Sequence, residues 1–344
     1  MERRGLVYPH GPHVPADGSL FEVVEGIFWL RMPLPFALDH INLWLLDGGD
    51  HWAVVDTGVA LPAVKAHWRA LFDGPLAGKP VGRLVVTHYH PDHVGLAGWL
   101  AAKWQLPLEM SRAEYMLARV LTLDVAPHPP ADVVGFYAAQ GWPEAAVDAL
   151  RASEWGRFGR AVHRLPTGFR RLRAGDRLPI GGREWQVVVG SGHSPEHVCL
   201  FDAAGRLLIS GDQVLPRITS NVSVYPTEPD ADPLGDWLAS IDELRALPAD
   251  TLVLPAHNEP FTGLHVRLDQ LAADHHRKLD ALSDACAEPL TAYESFPTLF
   301  RRAVGDDEIQ MATGEALAHL HWLERRGRLQ RESRGGHTRF RRPG

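Results

Sequence analysis

An α/β sandwich of two mixed β-sheets with helices on its outer faces (an αββα arrangement), followed by a small winged-helix domain, is the architecture this 344-residue sequence predicts. Three observations carry the prediction. Apolar runs of strand length recur in two comparable halves with helical stretches between them, a pattern that packs sheets together and puts helices outside. The residues with metal-binding or acid–base chemistry fall just after those runs. From about Leu264 the strand signals stop, and three helical stretches lead into a basic hairpin.

Taken in order, Ile27 to Met32 and Ile41 to Leu46 read as strands, and Asp47-Gly48-Gly49-Asp50 is hairpin chemistry leading into a third, Trp52 to Val55. Asp56-Thr57-Gly58 ends that run. Leu61 to Phe72 has helical periodicity, with Val64, Trp68 and Leu71 on one face. Val81 to Thr87 is almost continuously apolar, the mark of a buried strand, and it ends at His88. Val94 to Trp104 reads as a helix. Residues 107–170 are richer in Ala, Arg, Pro and aromatics, with helical stretches at Ser111 to Leu123 and Pro143 to Ser153, and read as a helical insertion placed to act as a lid. Phe136, Tyr137 and Trp142 within it suit either an apolar roof or a local core. Strand signals return at Trp185 to Val189, Val198 to Phe201, Leu207 to Ser210 and Thr251 to Leu254, with a helix over Asp236 to Leu247. Leu268 to Ala287, Tyr293 to Arg301 and Gly314 to Arg326 then read as helices, and Arg328 to Arg331 and Thr338 to Arg341 flank a turn at Arg334-Gly335-Gly336. The expected division is 1–265 for the sandwich, with its insertion at about 107–170, and 266–344 for a winged helix with a basic wing.

Composition bounds the function. Apolar residues are 45% and charged residues 22%, the balance of a globular protein. No stretch approaches the roughly 18 to 20 apolar residues of a membrane helix, and the N-terminus lacks the apolar core of a signal peptide. A cytoplasmic protein with no membrane partner is therefore expected. Cys199 and Cys286 lie far apart, in no metal-type spacing, and read as reduced small hydrophobes. The net charge of −7 hides an asymmetry. Arg325 to Gly344 holds eight arginines and one acid, a charge of +7, so the remainder carries −14. An acidic body suits an enzyme, and the basic tail points to an acidic partner.

The segment Thr87-His88-Tyr89-His90-Pro91-Asp92-His93 packs three imidazoles and a carboxylate into six positions. On a loop leaving a buried strand, His88 and His90 project to one side while Asp92 and His93 turn toward a neighbouring point. Imidazole and carboxylate are the ligands that suit Zn²⁺ and similar ions. Four residues cannot complete two metal sites, and the later strand ends supply more: His193 in Gly192-His193-Ser194-Pro195, Asp212 in Ser210-Gly211-Asp212, and His257 in Pro255-Ala256-His257-Asn258.

At these residues the chain resembles the metallo-β-lactamase superfamily, whose H-x-H-x-D-H signature is matched by His88, His90, Asp92 and His93 and whose later ligands match His193, Asp212 and His257 in order. The resemblance covers roughly residues 20 to 262. It implies two divalent metal ions, zinc first with iron or manganese as alternatives. His88, His90 and His193 would hold one, Asp92, His93 and His257 the other, and Asp212 would bridge them. It implies hydrolysis by a metal-bridging hydroxide, with Asp92 orienting it and passing a proton to the leaving group. Asp56 would support the ligand loop, and His197 would orient a ligand or the substrate from outside the coordination sphere. Redox di-iron relatives tend to carry Glu where His90 stands, so His90 argues for hydrolysis.

The substrate is read less directly. Arg217, Ser220, Asn221 and Tyr225 follow Asp212 on a loop expected to line the pocket. A winged helix behind such a domain resembles the lactamase-beta-like group, some of whose members cut single-stranded RNA, and the wing arginines 328, 331, 334, 339, 341 and 342 could contact phosphates. A winged helix on an enzyme can equally pack on the body or form a homodimer. Gly314 to Arg326 carries no base-reading set, and no large nuclease domain precedes His257. A small-molecule ester or thioester, or a lactone, is therefore the first expectation, and single-stranded RNA cleavage the second. A non-catalytic metal-binding scaffold or winged-helix regulator is the third, and it would predict lost ligands where all seven are present.

Overall fold

The computed structural model describes residues 1–35 and 38–343. A short ribbon, β1 (Glu2–Arg3) and β2 (Leu6–Val7), precedes two larger sheets. The first holds β3 (Leu20–Val24), β4 (Ile27–Pro33), β5 (His40–Asp47), β6 (Trp52–Val55), β7 (Val81–Val85), β8 (Leu108–Met110) and β9 (Phe169–Arg171) in sequential order. Its strands run antiparallel as far as β6 and parallel from there on. The second holds β10 (Arg177–Ile180), β11 (Arg183–Gly190), β12 (His197–Asp202), β13 (Leu207–Gly211) and β14 (Leu252–Pro255), with only β13 and β14 parallel. Both sheets are mixed, as the sequence predicts.

Strand pleating sorts the side chains into layers. Trp44 and Leu46 of β5 enter the core between the sheets, where Trp44 stacks on Trp29 at 6.3 Å and meets Val198 and Leu200 of β12. Ile41, Leu43 and Leu45 face outward against α1 (Pro62–Asp73) and, beyond the short α2 (Pro91–Val94), α3 (Ala97–Trp104). Because both faces are covered, β5 reads as a nearly continuous apolar run rather than as an alternating one.

The insertion is narrower than the sequence reading gives it. Residues 108–110 and 169–171 are strands of the first sheet, too short for periodicity to reveal. The helical part is α4 (Arg112–Leu123), α5 (Ala131–Ala139), α6 (Glu144–Ala152) and α7 (Phe158–Ala161). Tyr137 and Trp142 are buried in its local core, with Phe136 packed against it, and Trp142 Nε1 donates to Thr313 Oγ1 at 2.8 Å. These aromatics thus join the insertion to the C-terminal helices and form no open roof.

The second sheet is covered by α8 (Pro233–Leu244), α9 (Leu264–Ala285) and, past α10 (Phe296–Leu299), α11 (Ile309–Arg325). A hairpin of β15 (Gln330–Arg334) and β16 (His337–Arg341) follows. One core runs from Phe201 and Val253 through Trp237, Leu268 and Leu320 to Phe340, so the C-terminal helices share their apolar face with the sandwich. The basic C-terminal segment is largely matched by acids of this same chain. Arg326 pairs with Asp232, Arg328 with Asp280, Arg331 with Asp230 and Glu324, Arg339 with Glu294, Arg341 with Glu332 and Arg342 with Asp284. Arg325 donates to the Asp230 carbonyl. The tail's charge is neutralised internally, which removes the electrostatic argument for a phosphate-binding face. Among the described residues no helix is long and apolar enough to cross a membrane.

Candidate metal centre

The ligand candidates converge at one end of the sandwich, where strands of both sheets stop. His88, His90, His193 and Asp212 form one group, and Asp92, His93 and His257 a second; within each group the donor atoms lie within 4.8 Å of one another. His88 Nε2 stands 2.9 Å from His90 Nδ1 and 3.3 Å from His193 Nε2. Asp212 connects the groups. Its Oδ2 is 3.3 Å from His193 Nε2, while its Oδ1 is 3.5 Å from His93 Nε2 and 3.4 Å from His257 Nε2. Asp92 Oδ2 faces the same two rings at 3.7 and 3.4 Å.

The rings are aimed by their far nitrogens. His193 Nδ1 donates to the Asn221 carbonyl at 2.6 Å and His257 Nδ1 to the His40 carbonyl at 2.9 Å. A carbonyl can only accept, so Nδ1 carries a hydrogen and Nε2 is the nitrogen aimed inward. His93 Nδ1 meets Asp56 Oδ2 at 2.8 Å. Thr87 Oγ1 lies 2.9 Å from the same oxygen and 3.0 Å from His88 Nδ1, so it can donate to the carboxylate while accepting from the ring.

Asp56 ends β6 in the left-handed region (φ 63°), a strained backbone for a non-glycine residue. The kink lets its carboxylate also accept the Thr87 N–H at 2.8 Å. Thr57 donates to the His93 carbonyl at 2.7 Å, fixing the other end of the ligand loop.

His197 lies at the first position of β12, stacked on His88 at 4.6 Å, and its Nε2 accepts the Asp212 N–H at 3.1 Å. Its ring supports Asp212 instead of adding a lone pair to the centre. Gly211 makes this approach feasible, since a Cβ there would lie 2.5 Å from His197 Cε1.

The loop after Asp212 is used differently from the sequence expectation. Ser220 Oγ donates to the Asp212 carbonyl, and Asn221 anchors His193 while its Oδ1 accepts from Ser223. Arg217 pairs with Glu259 and lies over Tyr8. Tyr225 is 37% exposed and stands beside Tyr89. The C-terminal helices hold this loop. Arg267 of α9 donates to the Ile218 carbonyl at 2.7 Å, and the Val224 N–H donates to Gly314 of α11 at 3.1 Å. A Cβ on Gly314 would sit 2.7 Å from that of Ser223, so α11 can abut the loop only with glycine there.

Several supporting residues escape sequence reasoning. Asn42 Nδ2 donates to the Pro255 and Asn258 carbonyls at 3.0 and 2.6 Å, tying β5 to the His257 turn. Glu114 of α4 accepts main-chain N–H groups from two ligand loops. Neither belongs to a motif, and both act across 25 or more residues, so no local signal reveals them.

The donor set fits divalent cations. His93 Nε2 and Asp212 Oδ1 are buried polar atoms with no hydrogen-bond partner, a costly state unless something positive lies between them. The electrostatics agree. Burial, reinforced by neighbouring His193, lowers His90 to about 3. Burial alone would lower His257 as well, but the Asp212 and Asp92 carboxylates raise it to about 10. Against the same effect of burial, Asp56, Asp92 and Asp212 raise His93. In the metal-free protein the carboxylates thus favour the protonated form of both rings. Because the His257 value is raised, its contribution to metal-free stability is full below about 6.5 and is lost as pH rises through about 10. Cations must displace these protons, so metal affinity is expected to rise with pH. Calorimetry at pH 7 in buffers of different ionisation enthalpy should register release of about two protons from these rings on loading; pH-independent uptake without release would contradict it.

A family model described as metallo-β-lactamase superfamily matches residues 37–257, and one described as metallo-β-lactamase-like, C-terminal domain, matches residues 279–343. The crystal structure of a β-lactamase domain protein from Burkholderia ambifaria is similar with a TM-score of 0.91 and 44% identity, covering 98% of both chains. A Bacillus subtilis (strain 168) protein named "Probable metallo-hydrolase YqjP" is 26% identical over 311 residues, 87% of this chain and 92% of that one. The Homo sapiens acyl-coenzyme A thioesterase MBLAC2 is 28% identical over 263 residues, 74% of this chain and 85% of its own.

Proposed function

Since the chain belongs to the metallo-β-lactamase superfamily and is a metal-dependent hydrolase, we propose that it holds two divalent cations, zinc being the resident metal, and cleaves a small-molecule thioester or ester. One observation carries the dinuclear reading: the two oxygens of Asp212 face different histidine groups. His88, His90 and His193 would hold one cation, and Asp92, His93 and His257 the other, with one Asp212 oxygen for each. When bound, the cations supply a water made acidic near neutral pH and a Lewis acid for the acyl oxygen.

The chain's own residues do the rest. Asp212 and Asp92 offset the charge that neutral imidazoles leave uncompensated. The side chain of Asp92 is 20% exposed, and burial, which would raise its carboxyl, is outweighed by His93 and His257, which hold it at about 2. It is a carboxylate at working pH, able to take a proton from the attacking water and return it to the leaving group. A thiolate, whose parent thiol has a pKa of about 8.5, leaves without a strong acid. Tyr225 beside Tyr89 offers an aromatic surface for an apolar acyl chain. The name of the human relative, an acyl-coenzyme A thioesterase, supports the same class.

The test is a substrate panel on the zinc-loaded protein: acyl-coenzyme A and acyl-glutathione thioesters, aryl esters, lactones and single-stranded RNA. Thioesters are expected to be cleaved with the highest kcat/KM, by at least about tenfold over the others. Preferential RNA cleavage, or no turnover of any acyl substrate, would overturn the reading.

A further inference from the structure

We propose that Glu114, on the insertion helix α4, is a positioning residue for the centre: it sets the spacing between the loop that carries His88 and His90 and the loop that carries His193. The inference rests on the metal reading above.

Glu114 is fully buried. Its Oε2 accepts the Tyr89 N–H at 2.9 Å, and its Oε1 accepts the Glu196 N–H at 2.7 Å. Tyr89 lies between His88 and His90, and Glu196 lies three residues beyond His193 and directly before His197. Glu196 replies in kind, since its Oε2 accepts the Ala113 N–H at 2.9 Å in the first turn of α4. Three carboxylate-to-backbone bonds, two of them reciprocal, thus dock the start of α4 onto both loops.

The choice of residue follows from the geometry. Two N–H donors converge on one side chain from opposite sides, and only a carboxylate accepts at both ends. Glutamine would accept at one end and turn an amide N–H group against the other donor. A buried carboxylate held by main-chain donors is expensive when the sole requirement is to fill space. Glu109 is nearly as buried, at 2% exposure, but its Oε1 meets Arg83 and Arg170 at 3.1 and 3.3 Å, so its side chain serves ion pairs and not the main chain of either ligand loop.

The spacing at stake is a chemical one. His88 and His90 share a loop and fix each other locally, whereas His193 arrives from a different sheet to stand 3.3 Å from His88. A ligand set works only if such distances are held to about 0.5 Å. Glu114 bridges the two loops without offering a ligand itself, so its loss should be felt in metal affinity and ligand field.

The experiment compares Glu114→Gln with Glu109→Gln and wild type. Each is stripped of metal and titrated with Zn²⁺ against a competing chelator, then loaded with Co²⁺ for its visible spectrum. Glu114→Gln is expected to weaken the tighter site by about 10- to 100-fold and to change the Co²⁺ band shape, the range seen when ligand-orienting groups are removed. Glu109→Gln is expected to lower the melting temperature and leave both metal readouts at wild type. Wild-type affinity and spectrum in Glu114→Gln would overturn the proposal, as would an equal loss in Glu109→Gln. If Glu114→Gln cannot be purified folded, Glu196→Ala serves; it removes the reciprocal bond from a half-buried position, and an unchanged affinity and spectrum there would also overturn it. A wild-type protein that binds no metal would remove the metal reading together with this one, whereas two metals bound with equal affinity and the same Co²⁺ spectrum in wild type and Glu114→Gln would remove only this one.

Discussion

Replacing Asp212 by alanine is expected to abolish hydrolysis, with kcat/KM falling by more than about a hundredfold, beyond the 10- to 100-fold typical of groups outside the coordination sphere. Among the described residues Asp212 is the one carboxylate whose two oxygens face both histidine groups, and its Oδ1 is buried with no hydrogen-bond partner. Its removal leaves the rings of His93, His193 and His257 pointed at a volume that lacks the anion needed to hold two cations together. The fold around it is anchored through the main chain, since its N–H reaches His197 and its carbonyl accepts from Ser220. Those contacts survive the substitution. Asp212→Asn should therefore keep a wild-type circular dichroism spectrum while losing activity to nearly the same extent. Steady-state kinetics on the best thioester of the panel measures both, and an Asn variant within about tenfold of wild type would refute the bridging role.

The second large effect is expected at Asp56, which touches no cation. Its carboxylate accepts the Thr87 N–H at 2.8 Å, meets Thr87 Oγ1 at 2.9 Å and holds His93 Nδ1 at 2.8 Å. Alanine leaves three buried donors unanswered, a loss of about 1–3 kcal/mol for each group left unsatisfied. It also frees the His93 ring to rotate and to choose the wrong tautomer. Metal affinity is expected to fall by about 10- to 100-fold, with activity following. Asp56→Asn tolerates the left-handed backbone and keeps one acceptor, so it should lie between the two. Chelator competition and thermal melts separate the effects. An alanine variant that melts early yet binds zinc as tightly as wild type would reduce Asp56 to a purely structural residue.

Much of this site was legible in the sequence because its ligands end strands. A carboxylate or imidazole directly after an apolar run must emerge at the edge of a sheet, which is why His88, His193, Asp212 and His257 could be picked out one by one. The sandwich was legible for a related reason, since Leu43 to Leu46 and Val198 to Phe201 are continuous apolar runs of strand length, as strands covered on both faces require. What could not be read is whatever depends on distant partners. Ser220 and Asn221 look like pocket residues on a polar loop, and only the fold shows their polar atoms turned toward Asp212 and His193. The arginines of the tail look like a nucleic-acid surface until Asp230, Asp232, Asp280, Asp284 and Glu294 arrive beside them from elsewhere in the chain. The three-residue strands β8 and β9 are too short to show a periodicity, so the sequence marks the insertion wider than its four helices.

The central claim, that one carboxylate joins two cation sites, is tested most directly by titrating metal-free protein with Zn²⁺ and counting metal per chain by elemental analysis after gel filtration. Two zinc ions per wild-type chain, and no more than one in Asp212→Ala, is the result the shared carboxylate predicts. A wild-type chain that takes up one ion or none, or an Asp212→Ala chain that still holds two with wild-type affinity, would contradict it.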